Sequence, residues 1–311
     1  MTERVHITEV GPRDGLQNEP GIIPAADKVA LVRSLMSTGV DEVEVSSFVS
    51  PKWVPQLGDA REVFLGIAND KPPGVELSAL VPNERGLEAA IEINQQLGSR
   101  LIDKVSVFTA ASETFSLRNT NASISESVAR FVPVIKRSRA AGLRVRAYIS
   151  CIVACPFEGP ISPNAVADVG SRLLDLGVDE LDLGDTIGAA EPSTIAALLD
   201  TITARLGDRL QPRASQGAEL VLHLHDTFGR APACALRAFE MGIRSFDASI
   251  AGLGGCPYAS TPDRRAPGNI DTETLLEALT QHGISTSVDR KRLAAAHELA
   301  RSILSRSAGR P

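Results

Sequence analysis

Ser37–Phe48 reads STGVDEVEVSSF, and Asp175–Thr186 reads DLGVDELDLGDT. The two share one grammar: a helix end closed by Gly, then a short strand whose polar tail follows at once. Gly39 and Gly177 suit a helix C′ position, where a left-handed backbone is cheap without a Cβ. A weaker copy, EMGIRSFDAS, covers Glu240–Ser249. A βα unit is being repeated at the supersecondary level.

Reading outward from these phrases, β-rich runs fall at Val5–Val10, Glu42–Phe48, Val75–Val81, Lys104–Thr109, Arg144–Ser150, Glu180–Leu183, Glu219–His225 and Ser245–Ala251. Amphipathic segments lie between them at Ala25–Ser37, Glu84–Leu97, Ser125–Ala141, Asn164–Leu176, Thr194–Leu206 and Pro232–Met241, with a short helix at Ala60–Ala68. Thr272–Gln281 and Val288–Ser305 follow the last strand. Such alternation fits an open doubly wound sheet or a closed barrel. An open sheet would carry a Gly-rich phosphate loop after its first strand, whereas the turn after Val10 is GPRDGLQ. The strand count predicts a (β/α)8 TIM barrel, with chemistry at the C-terminal ends of the strands. We expect one domain over residues 1–311, the barrel in about 5–255, and a loop and extra C-terminal helices in about 256–305.

Composition narrows the function. The 311 residues are 43% hydrophobic and 23% charged, with a net charge of −6, nine Phe, two Tyr and one Trp. That balance lacks the basic footprint and stacking platform of a nucleic-acid binder. No apolar run is long enough to span a bilayer. The N-terminus carries neither a signal core nor an Arg-rich transit segment. Cys151, Cys155, Cys234 and Cys256 read as reduced thiols in a cytoplasmic protein. Cys151 and Cys155 are expected to pack in a loop, since a zinc pair would need two further ligands.

His223-Leu224-His225 is the sharpest local feature. On a strand the two imidazoles share one face, and Leu222 and Leu224 take the other. Paired imidazoles are tolerated inside a protein when they share a metal ion or hydrogen-bond partners. Arg13-Asp14 ends the first strand; taken alone it is a surface turn, but barrel closure would bring Asp14 near both histidines. One carboxylate and two imidazoles with open positions suit a divalent cation such as Mg2+, Mn2+, Fe2+ or Zn2+. Asn269 offers a fourth ligand or a helix N-cap, and Asp271 is equally able to cap. Cys256 lies in the glycine-rich AGLGGCPY, as a free thiol on a loop or as a proton donor matched to an enolate. Glu44 has lumen-facing parity and needs a cation or a hydroxyl as partner. Asp182 and Asp185 are similar candidates, and Asp182 reads rather as a structural carboxylate.

VGPRDGLQNE, SSFVSPKWVPQ, SCIVACPFEG, LGDTIGAAEP, HLHDTFG and AGLGGCPY together closely resemble the 3-hydroxy-3-methylglutaryl-CoA lyase family, a branch of the metal-dependent barrel lyases and synthases. The resemblance runs from about Val5 to Leu279. It implies metal ligands at Asp14, His223, His225 and Asn269, a catalytic arginine at Arg13 and a loop cysteine at Cys256. Gln17, Glu44, Asp185 and Glu273 match polar positions around the family's substrate site. The metal would be Mg2+ or Mn2+, the substrate an acyl-CoA, and the assembly a homodimer.

The implied reaction splits a tertiary 3-hydroxyacyl-CoA into acetyl-CoA and a keto acid, with His223 or Asp14 as base. Residues 259–268, ASTPDRRAPG, are longer than the usual family link and carry Arg264 and Arg265. This leaves open a relative that acts on a longer-branched acyl group. A condensing synthase of the same superfamily is the alternative enzyme, although such chains usually extend into a further domain. A metal-binding barrel without catalysis is the non-enzymatic one.

Overall fold

The computed structural model describes residues 4–211, 217–254 and 268–307. Its centre is a closed barrel of eight parallel strands: β1 His6–Glu9, β2 Glu42–Ser47, β3 Glu76–Leu80, β4 Lys104–Ala110, β5 Arg144–Ser150, β6 Glu180–Asp185, β7 Glu219–Leu224 and β8 Ser245–Ala248. Each strand pairs with its sequence neighbours, and β8 closes on β1 through His6↔Ser245 to Glu9↔Ala248. Around it run helices α1 Ala25–Met36, α2 Ala60–Gly66, α3 Glu84–Leu97, α4 Glu113–Thr120, α5 Ile124–Ala140, α6 Pro163–Asp175, α7 Pro192–Leu206 and α8 Ala231–Glu240. Two further helices, α9 Thr272–Gln281 and α10 Arg290–Ser307, follow β8. The expected TIM barrel with extra C-terminal helices is the observed architecture.

The repeated phrases act as their residues dictate. Gly177 (φ +82°) and Gly242 (φ +100°) take the left-handed conformation just past α6 and α8, and Gly39 (φ +85°) does so beyond α1. Each turns the chain from a helix into the next strand at an angle that a Cβ would oppose. The strand edges differ from the sequence reading in one way that matters: β7 stops at Leu224, so His225 lies just past the strand and pairs with Asn269 in an isolated bridge. Helix α4 and the small hairpin Ala154–Cys155/Gly159–Pro160 were not foreseen.

The barrel separates its two faces sharply. Ile7, Val43, Val45, Leu77, Val105, Val107, Val145, Ile149, Leu181, Leu183, Leu222 and Phe246 are fully or almost fully buried, and all belong to the main apolar core. The alternate residues form a polar set that is also buried: Thr8, Glu42, Glu44, Lys104, Ser106, Arg146, Glu180, Asp182, His223 and Asp247. TIM-barrel lumens are usually filled by layers of branched aliphatics. Here the filling is ionic, and Arg146 on β5 joins five strands. It donates from Nε to Glu180 (2.6 Å), from Nη1 to Asp247 (2.8 Å) and Asp182 (3.2 Å), and from Nη2 to Thr8 (3.0 Å) and Glu42 (3.4 Å). Lys104 below it bridges Glu42 and Glu180. Buried charges are tolerated only when paired and hydrogen-bonded in this way.

Cys151 and Cys155 are free thiols packed with Ala110 and Phe115, the loop packing expected of them. No helix among the described residues is long and apolar enough to cross a membrane.

Candidate functional site

After β1 the chain makes one wide helical turn, Gly11–Gly15. The amides of Arg13, Asp14 and Gly15 all point to the carbonyl of Val10, at 3.1, 2.8 and 3.2 Å. Pro12 fits in the first turn, where its missing N–H would be unpaired anyway. The turn folds Arg13 and Asp14 back over the mouth of the barrel. Arg13 donates from Nε to Glu44 (2.5 Å) and from Nη1 to Asp14 (2.6 Å), and its guanidinium carbon lies 5.3 Å from the centre of the Tyr148 ring. Burial works against the charge on Arg13, but Glu44 and Asp14 outweigh it and raise its pKa.

Asp14, His223 and His225 place one potential ligand atom each within 4.8 Å of one another. Asn269 completes the group: its Nδ2 donates to Asp14 Oδ2 (2.7 Å) and to the carbonyl of Leu253 (3.0 Å). Occupying the amide nitrogen in this way leaves the amide oxygen as the atom suited to a cation. Asp271, not Asn269, caps α9 by accepting from the Thr274 amide (3.2 Å). That settles the capping alternative and frees Asn269 for the site.

The electrostatics suit a cation. Burial would raise the Asp14 carboxyl, yet Arg13, His223, His225 and the Asn269 amide bring it down to about 2. Burial and then the neighbouring His223 push His225 down to about 4, against a hydrogen bond with the Thr186 backbone, so its ring is neutral at pH 7. Its buried Nδ1 has no hydrogen-bond partner. An orphaned imidazole nitrogen beside an ionised carboxylate is costly as it stands and fits a divalent ion. Burial also opposes a charge on His223, but the hydrogen bond and charge of Asp247 outweigh it and raise the imidazole. Nδ1 of His223 faces Asp247 Oδ2 at 3.1 Å, which turns Nε2 toward the open side. Carboxylate-oriented histidines are a recurring arrangement around metals.

The remaining sequence candidates divide. Glu44 sits among them with both oxygens engaged: Oε2 accepts from Arg13 and from the Tyr148 hydroxyl (3.1 Å), and Oε1 from Ser106 (2.9 Å). Asp185 ends β6 and accepts from the amides of Ala189 (3.0 Å) and Ala190 (2.9 Å), fixing the exit loop. Burial lifts its carboxyl to about 6 despite those bonds. Gln17 is half-buried in the continuation of the turn that carries Arg13. Glu273 lies against α10, where its Oε2 is 3.1 Å from Nδ1 of His297, and its described contacts do not reach the Arg13–Asp14 group. Cys256 and the stretch from Ser260 to Pro267 lie outside the described residues. Asp182 belongs to the Arg146 network, in line with its structural reading.

Three residues escaped the sequence reading. Asp247, Tyr148 and Arg146 hold His223, Arg13 and Asp247 respectively. Their signal was parity: Arg146 and Tyr148 share one face of β5, and Asp247 takes the face opposite Phe246 on β8.

The sequence and the fold are shared with known proteins. The HMGL-like family matches residues 4–300. A 3-hydroxy-3-isohexenylglutaryl-CoA/hydroxy-methylglutaryl-CoA lyase of Pseudomonas aeruginosa is 43% identical over 309 residues, covering 99% of this chain and 96% of the relative. The HMG-CoA lyase structure from Brucella melitensis superposes with a TM-score of 0.87 at 44% identity, covering 97% of this chain and 99% of that one. An HMG-CoA lyase from Acinetobacter baumannii, solved with coenzyme A and 3-methylmalate, gives 0.85 at 32% identity and covers 99% of this chain and 95% of that one. With a family match over nearly its whole length and relatives of this identity, the chain belongs to the HMGL-like family.

Proposed function

We infer that this chain cleaves 3-hydroxy-3-methylglutaryl-CoA to acetyl-CoA and acetoacetate. The observation that carries the reading is the convergence of Arg13, Asp14, His223, His225 and Asn269 at one end of a polar lumen, in a chain related throughout to lyases for this thioester.

Asp14, His223, His225 and the Asn269 oxygen would hold a divalent cation, and Mg2+ or Mn2+ suits a donor set containing carboxylate and amide oxygens. When bound, such an ion is a Lewis acid that lowers the pKa of the substrate's 3-hydroxyl and orients the acyl chain. The hydroxyl proton goes to Asp14 or His223: Asp14 could hold the ion through one carboxylate oxygen and take the proton on the other, whereas His223, with Nδ1 facing Asp247, can take it only at Nε2 and only if that nitrogen is not a ligand. The C2–C3 bond breaks, the alkoxide carbon becomes the ketone of acetoacetate, and the electron pair passes into a thioester enolate. Arg13, locked between Glu44 and Asp14, presents its guanidinium to the enolate oxygen. Cys256 gives its proton to the enolate carbon, completing acetyl-CoA, and its thiolate is reprotonated from solvent. Gln17 and Asp185 flank the acyl group in this reading. The cytoplasm suits the free thiols Cys151, Cys155 and Cys234. One domain across residues 1–311 and a homodimer complete the proposal on the family resemblance.

Two results test it. Stripping divalent ions with EDTA is expected to abolish acetyl-CoA release, and added Mn2+ or Mg2+ to restore it; turnover that survives chelation sinks the cation's role. Asp247→Asn is expected to weaken Mn2+ binding by about 10- to 100-fold, because the amide no longer fixes the His223 ring. Titration of bound Mn2+ by EPR reads that change directly, and unaltered affinity would remove Asp247 from the site.

A second reading has its own support. The Pseudomonas aeruginosa relative is named for a 3-hydroxy-3-isohexenyl substrate as well. A panel of 3-hydroxy-3-alkylglutaryl-CoA thioesters ranks the two by kcat/KM, and equal or better cleavage of the longer branch would make this the broader enzyme.

A further inference from the structure

Glu9, the last residue of β1, is completely buried and belongs to none of the groups above. Its Oε1 accepts from the amides of Gly11 (2.9 Å) and Ile250 (2.8 Å), and its Oε2 from the Thr272 hydroxyl (2.7 Å). Those donors come from three separate stretches. Gly11 opens the turn that carries Arg13 and Asp14. Ile250 opens the short turn Ile250–Gly252, which leads into the glycine-rich stretch before Cys256. Thr272 begins α9, three residues after Asn269.

Packing around the carboxylate is equally close. A Cβ on Gly11 would come within 2.7 Å of Glu9 Oε1, and one on Gly15 within 2.7 Å of the Leu253 side chain. A Cβ on Gly254 would lie 2.5 Å from Asn269 Nδ2 and 3.3 Å from the Asp14 carbonyl. The first turn, the stem of the glycine-rich stretch and the Asn269 segment therefore touch without slack, and a single side chain bonds to all three.

We propose that Glu9 is a positioning residue for the lyase reaction: it sets the spacing between Arg13–Asp14, the segment from Ile250 to Gly254, and Asn269. It touches no reacting atom and acts through the three backbones it gathers. Reacting groups misplaced by about 1 Å lose up to roughly 100-fold in rate, so one tie shared by three site-bearing segments is a sensitive control point. Burial lifts the Glu9 carboxyl to about 7, with Asp271 adding to the rise, against the bonds from Ile250, Thr272 and Gly11. A protonated Glu9 keeps the same arrangement by donating to the Thr272 oxygen. A glutamine there has the same pattern, one oxygen for two amides and one donor for Thr272.

The kinetic arm of the test rests on the lyase reading; the exchange arm does not. With the full chain and saturating Mn2+, E9A is expected to lose about 10- to 100-fold in kcat with KM changed less than about threefold, and E9Q to stay within about threefold of the unsubstituted enzyme. Amide hydrogen exchange in E9A is expected to quicken together in 11–15, 250–254 and 268–272 while the strands stay protected. A folded E9A with unchanged kcat, E9Q as slow as E9A, or faster exchange in only one segment overturns the proposal. If E9A does not fold, T272V decides: it is expected to lose a few-fold in kcat and to quicken exchange in 268–272, and no change in either overturns the proposal. Absence of 3-hydroxy-3-methylglutaryl-CoA cleavage by the unsubstituted chain would instead sink the lyase reading, leaving the exchange pattern to judge Glu9.

Discussion

Arg13→Ala is expected to lower kcat by about 100- to 1,000-fold while Mn2+ binding is retained, a loss of roughly 3–4 kcal/mol of transition-state stabilisation. The size follows from the setting. Arg13 is 6% exposed, so its charge acts where little water screens it. Glu44, Asp14 and the Tyr148 ring fix it before substrate arrives, so little reorganisation remains for the moment of reaction. Arg13→Lys is expected to recover little, because an ammonium cannot bridge Glu44 and Asp14 with one planar fork. Asp14 also loses the largest of the influences that lower its carboxyl. Metal affinity in the variant should therefore fall earlier on acidification, although it survives at pH 7. Steady-state kinetics and Mn2+ EPR on one preparation separate the cases. Unchanged kcat removes Arg13 from the reaction, and lost Mn2+ binding at pH 7 makes it part of the metal scaffold instead.

The parts legible in the sequence were those with local signals. The glycines at 39 and 177 announced where helices end, and the polar tails at 46–47 and 185–186 marked the end of the barrel where chemistry collects. Strands of parallel sheets usually read as continuous apolar runs because both faces are buried. Here EVEVSS and ELDLGD alternate, and the reason is the ionic lumen. Parity alone therefore placed Glu44 and His223 inward. Arg146 stayed hidden because its partners come from four other strands, and either arginine in RVRAYIS reads equally well as a solvent-facing residue. Asp247 could be matched to His223 only through the register that pairs β8 with β7. Glu273 shows the reverse case: it is close to Asn269 in sequence, but on α9 it meets His297.

Arg146→Met is expected to be the most destabilising single change in the barrel, by about 3–5 kcal/mol, out of a total that rarely exceeds about 15 kcal/mol. Methionine fills much of the volume but satisfies none of the acceptors, and it leaves Glu42, Glu180 and Asp247 buried with fewer counter-charges. The pH dependence identifies the cause. Burial raises all three carboxyls, but Lys104 and Arg146 outweigh it at Glu42 and Glu180, and Arg146 and His223 do so at Asp247, leaving all three below the ordinary range. A depressed carboxylate stabilises the fold above its unfolded pKa, near 4, and loses that contribution as pH falls through its folded value. With Arg146 gone, Lys104 still faces Glu42 and Glu180 and His223 still faces Asp247, but burial is expected to outweigh what is left, so that the folded variant holds part of these acids protonated. Its deficit should be greatest at neutral pH and shrink as pH falls toward about 4. Thermal melts from pH 7 down to pH 4 are expected to show the Tm gap, roughly 5–8 °C at pH 7, closing on the acid side. A constant gap across that range would mean that lost packing, and not unpaired charge, is what the arginine prevents.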